Sequence, residues 1–163
     1  MKTTLLTVGV SVALLFSPRA SAQDAKPSAA AEKTKPTPQE LEARFIATLT
    51  KATMSGRWCT IKSGALGDEQ SDKYTIVGVT KLGGDNWIVK ARIQFGKQDI
   101  VAPIPVQVKW AGDTPVIIVD KLSYPGGGTY SARVLIYEHT YAGTWTGGDH
   151  GGLMSGVITN EKE

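Results

Sequence analysis

Two histidines, one cysteine and scattered carboxylates are the side chains of this 163-residue sequence with the most chemistry to offer. Asp149-His150 lies in a glycine-rich stretch from Gly147 to Gly152, where a carboxylate beside an imidazole could orient a ligand or serve as an acid–base dyad. Adjacent residues seldom face each other usefully, so a solvated turn is the plainer reading. Asp113, between Gly112 and Thr114, reads as a hairpin residue. Cys59 follows Trp58. A reactive thiol needs an electropositive, partly open setting, and in a strand beside a tryptophan a buried thiol packed against a helix is the better expectation. The sequence has no Cys/His cluster of metal-binding spacing, no Gly-x-Ser-x-Gly and no phosphate loop, since Gly126-Gly127-Gly128 is followed by no helix. No catalytic set, metal or cofactor is therefore expected, and an enzyme stands third among the functions considered.

The elements that would position these residues change character along the chain. Thr37-Pro38-Gln39-Glu40 has the form of a capping box, and Leu41, Phe45, Ile46 and Leu49 follow at helical spacing. This predicts a helix within 37–55 that ends near Ser55-Gly56. From Gly56 the period becomes two. Trp87, Val89, Ala91, Ile93 and Phe95 alternate with Ile88, Lys90, Arg92 and Gln94, and Ile100, Ala102, Ile104, Val106, Val108 and Trp110 alternate against Pro103, Pro105, Gln107 and Lys109. Pro103 and Pro105 fall on the outward parity without N–H donors, so that strand should bulge or pair weakly along one side. Glycine-rich turns divide 56–163 into strands at 56–63, 71–81, 86–96, 99–110, 114–122, 128–138, 141–146 and 152–160. Short connections make consecutive strands antiparallel neighbours, and a meander of eight closes readily into an up-and-down barrel because closure removes both edges. A two-sheet β-sandwich is the alternative.

Strand parity then sorts the candidate residues. Asp68, Glu69, Tyr124, Asp149 and His150 should surround one opening, a ligand-admitting mouth with the longer loops. Asp85, Asp113 and His139 should lie at the other end with the helix. The two histidines are then separated by one strand, about 20 Å at 3.3 Å per residue, and cannot share a metal. Trp58, Trp87, Phe95, Trp110 and Trp145 should face the interior, with Trp58 at the floor. A barrel of this size is wide enough to be plugged by its own side chains or to hold one small ligand.

The first 22 residues have the pattern of a cleavable export signal: Lys2, an apolar run from Leu5 to Phe16, and Ala20-Ser21-Ala22 before Gln23. The apolar run is too short for a hydrocarbon core about 30 Å thick, so no transmembrane segment is expected in the mature chain. Residues 23–36, rich in Ala, Lys, Ser and Pro, read as a disordered leader. The 18 Lys and Arg residues include Lys2 and Arg19 of the signal, so the remainder nearly balances the 15 Asp and Glu. Without a basic stripe, nucleic acid is not an expected partner. A single cysteine allows no internal disulfide, so the core must supply stability.

Gly56-Arg57-Trp58 opens the first strand directly after a short helix, as the Gly-x-Trp motif does in lipocalins, and His139-Thr140-Tyr141 lies where lipocalins often carry Thr-Asp-Tyr. Over the strand region the chain resembles a lipocalin-like, calycin-type barrel. The segments 111–117 and 141–145 are also similar to those of secreted bacterial proteins of unassigned function, which implies export to the periplasm or beyond. The resemblance implies a binding module for a small apolar or amphipathic ligand. The competing expectation is a plugged barrel acting through its surface as an interaction or envelope-structural domain, its protein partner unspecified.

Overall fold

The structure, a computed structural model, describes residues 35–95, 97–123 and 128–160, with only the backbone of Phe95 and Gln98. The expected signal segment, nearly all of the leader, and Tyr124 lie outside the described residues.

Helix α1 (Pro38–Leu49) begins at the predicted capping box: Thr37 N donates to Glu40 Oε2 at 2.8 Å, and Glu40 N donates to Thr37 Oγ1 at 3.3 Å. The bond from Thr37 N, with a second from the Thr37 hydroxyl at 3.1 Å, holds the exposed Glu40 carboxyl below its usual pKa. Leu41, Phe45 and Leu49 form its buried face. The helix ends at Leu49, not near Ser55: Thr50 is extended, Lys51 has φ 56°, and Ala52 already belongs to a strand. The reason is tertiary. Ala52 and Met54 are needed on the barrel's inner face, where a ladder from Ala52 to Thr60 pairs with the last strand.

The strands are β1 (Ala52–Lys62), β2 (Ala65–Leu66), β3 (Gln70–Gly83), β4 (Asn86–Phe95), β5 (Gln98–Ala111), β6 (Thr114–Ser123), β7 (Thr129–Tyr137), β8 (Thr140–Gly147) and β9 (His150–Asn160). Strand β2 pairs only with the end of β1, as a hairpin tip. The other eight run antiparallel in the order β1-β3-β4-β5-β6-β7-β8-β9, and the β1–β9 ladder closes them into an up-and-down barrel. The expected eight-stranded meander is thus the observed fold, and closure excludes the sandwich. Trp87, Val89, Ala91, Val106, Val108 and Ile136 are buried inside, whereas Lys73, Lys90, Arg92, Lys109, Asp120 and Arg133 face outward. An apolar interior with charges outside is the reverse of a membrane-spanning barrel, whose outer band is apolar.

Strand β5 pairs with β4 from Gln98 to Gln107 but with β6 only from Gln107 to Ala111. Val108 N donates to Asp85 O on the β4 side at 2.9 Å, so odd-numbered residues of β5 direct their N–H groups toward β6. Pro103 and Pro105 fall on that parity and have nothing to donate. The strand therefore does not bulge; it parts from β6 toward one end of the barrel. Strand β6 is itself irregular there, with a register shift between Val119 and Leu122 and Lys121 at φ 47°.

The opposite end is filled. Phe45 of α1 packs edge-on against Trp87 at 5.3 Å and Trp110 at 6.3 Å between centroids, and Leu49 is fully buried. Lys81 ties the barrel to the helix through Glu42 at 2.5 Å, and Asn160 Nδ2 donates to Thr48 O at the helix C-terminus at 3.2 Å. This corrects the placement of Trp58. Strand β1 leaves the helix at Ala52 and rises away from it, so Trp58 lies in the upper half of the barrel. The floor belongs to Trp87 and Trp110, at the start of β4 and the end of β5. Cys59 is a buried free thiol as expected, but on the half of β1 remote from α1, in register with Leu153 of β9.

Candidate functional site: the barrel cavity

Above the floor the interior is open, with a cavity of about 630 Å³. One wall, from β4 to β6, is aliphatic: Val89, Ala91, Ile93, Ile104, Val106 and Ile117. The wall from β7 through β9 to β1 and β3 carries Trp58, Tyr74, Tyr130, Trp145, Met54 and Met154. Glycine makes that second wall possible. Trp145 lies over Gly152, where an added Cβ would come 3.0 Å from its Nε1. Tyr130 lies over Gly147, at 2.5 Å from the same notional atom. Large rings stay in the barrel because the strand beside each has no side chain at that point.

Below these rings Tyr141 crosses two strands. A Cβ on Gly56 would stand 2.4 Å from the Tyr141 hydroxyl, and one on Gly156 would stand 2.7 Å from its ring. The hydroxyl donates to Asp72 Oδ1 on β3 at 3.0 Å. Asp72 is 5% exposed, and its Oδ2 is buried without a hydrogen bond. Burial raises its pKa, offset in part by the Tyr141 hydrogen bond and by Tyr74; burial together with the Asp72 charge pushes the Tyr141 phenol upward. The glycine of the Gly-x-Trp segment is thus there to let a tyrosine from β8 reach an aspartate on β3.

At the mouth, Trp58 and Trp145 meet edge to face at 5.5 Å, and Trp145 meets His150 in the same way at 5.4 Å. His150 Nδ1 lies 3.2 Å from Asp149 Oδ1, and that bond holds the fully exposed Asp149 carboxyl below its usual pKa. The His150 side chain is 47% exposed and also lines the cavity, so the cavity communicates with solvent beside it. The indole N–H groups of Trp58 and Trp145 are buried without an acceptor.

Of the residues expected around this opening, His150 lines the cavity. Asp149 points to solvent and is hydrogen-bonded to His150. Asp68 is exposed between β2 and β3, and Glu69 is held outside the barrel by Arg57 at 2.6 Å, so neither lines the cavity. Trp58 and Trp145 line it; Trp87 and Trp110 close the floor; the side chain of Phe95 lies outside the described residues. Asp85, bonded to Lys109, and His139 lie at the helix end as parity required. Asp113 lines a separate cavity there of about 260 Å³, beside Arg44 and Phe45 of α1 and Glu138. Sequence reasoning missed Asp72, Tyr74, Tyr130 and Tyr141. The available signal was their inward parity, together with glycines at 56, 147, 152 and 156 that face the interior.

Among the described residues no cluster of His, Cys, Asp and Glu could hold a metal ion, and no helix is long and apolar enough to cross a membrane. Comparison of the chain with protein-family models, curated proteins and solved structures finds no match.

Proposed function

We propose that the protein is an exported, lipocalin-like module that binds a small apolar or amphipathic molecule inside its barrel. The observation that carries this reading is the cavity of about 630 Å³, lined by aliphatic and aromatic side chains and open beside His150. Drug-sized ligand sites are of the order of 300–1,000 Å³, mostly apolar, with a few polar groups at fixed points. The filled-barrel alternative requires an interior occupied by side chains, and that condition is met only in the floor half. Exposed Leu135, Tyr137 and Val157 on β7 and β9 are the features that favour a role for the outer surface.

Native mass spectrometry of the purified protein, followed by denaturing extraction, tests the reading. Expected is a complex heavier than the chain that releases an apolar compound on denaturation. A bare chain that also takes up no added apolar compound would overturn it. Export is part of the proposal and rests on the signal pattern alone: secreted material should begin at Gln23 on N-terminal sequencing, and secreted material that begins at Met1 would contradict it.

A further inference from the structure

The polar groups at the cavity mouth are unequal in kind. Ser131 Oγ already accepts from Lys121 N at 2.9 Å, which leaves its proton free to donate inward. Tyr130, which lines the cavity, carries a phenol hydroxyl. Trp58 and Trp145 have N–H groups that can only donate, and both are buried without an acceptor. His150 has Nδ1 engaged by Asp149, so Nε2 is the polar atom it has left for a ligand. Among the described residues no Asp or Glu lines the cavity: Asp149 faces solvent and Glu69 is spent on Arg57 outside. Among the described residues the mouth offers indole and hydroxyl donors and no carboxylate.

These donors also stand together. Tyr130, Gly147 and His150 are side by side in register across β7, β8 and β9, and the Tyr130 ring leans over Gly147. Trp145 bridges His150 to Trp58 through successive edge-to-face contacts. An apolar body in the cavity would carry whatever polar head it has to this cluster.

Resting on the reading that the cavity is a binding site, we propose that its ligand is a single-headed amphiphile whose head is an anionic acceptor, a carboxylate, held at the mouth by His150 and Tyr130 with its chain between the aliphatic and aromatic walls. A hydroxyl head carries no charge to draw these donors and offers its own proton to a mouth that has no carboxylate to take it. The geometry therefore favours the carboxylate over the alcohol of the same chain.

Dodecanoate and dodecanol differ only in the head and serve as probes. Titration of the full chain, followed by intrinsic tryptophan fluorescence and by calorimetry, should show dodecanoate binding at least about tenfold more tightly than dodecanol. His150→Leu, at an exposed position, should remove most of that difference, and Tyr130→Phe should reduce it. Equal affinity for the two probes in the parent protein would overturn this inference and leave the cavity as an apolar site without head recognition. A preference for dodecanoate that persists in both variants would also overturn it, placing head recognition elsewhere. Binding of neither probe would overturn the inference together with the reading on which it rests.

Discussion

Asp72 and Tyr141 form the most exacting pair in the interior. Removing the donor with Tyr141→Phe leaves a buried carboxyl unsatisfied and should cost about 1–3 kcal/mol in urea melts. Because burial raises the Asp72 pKa, the folded state holds that proton more tightly than the unfolded chain does. Its favourable contribution is therefore full below the unfolded value of about 4 and fades as pH rises through the folded one. Asp72→Asn keeps an acceptor for Tyr141 and removes the titration. The variant should match the parent near about pH 4 and equal or exceed its stability at neutral pH. A clear loss at neutral pH alone would show that the ionised carboxylate is needed. Gly56→Ala should cost about 1–3 kcal/mol by overpacking, since the new methyl would meet Ser155 O and the Tyr141 hydroxyl. The sequence displayed all of these residues, and strand parity put them inside. What it did not display was reach: that Tyr141 passes two glycines to meet a partner 69 positions away depends on the β8–β9–β1–β3 register.

At the scale of elements, local chemistry was legible wherever one segment decides its own conformation. The capping box at Thr37 and Glu40 is such a case, and Thr37→Ala should lower stability by about 0.5–2 kcal/mol. The end of α1 was not legible, because Ala52 to Met54 could continue a helix and are drawn into β1 by pairing with β9. The prolines of β5 announced weak pairing, and parity identifies the affected side. Hydrogen exchange should therefore find the Val101 amide, directed toward β6 where no ladder exists, exchanging far faster than that of Lys109, which faces Val116 in register. Similar protection at both would mean that β5 and β6 are paired up to the mouth.

For the whole molecule, the two ends of the barrel have become different objects. Helix α1, Phe45, Trp87 and Trp110 close one end, so the space left by eight strands is concentrated toward the other, between an aliphatic wall and an aromatic one. Parity foretold which loops share the open end, but not which of its polar residues turn inward; Glu69 turns out to Arg57, and His150 turns in to Trp145. The claim on which the rest depends is that this space takes up a ligand. Ala91 is 1% exposed and lines the cavity, so Ala91→Phe places a ring in the space a ligand would use, and Ile104→Trp does so from the neighbouring strand. The deciding measurement is a fluorescence titration of anilinonaphthalene sulfonate into the parent and these two variants, with far-ultraviolet circular dichroism confirming that each is folded. The account predicts saturable one-to-one binding to the parent that is lost in folded Ala91→Phe and Ile104→Trp, whereas binding of equal strength to all three would contradict it.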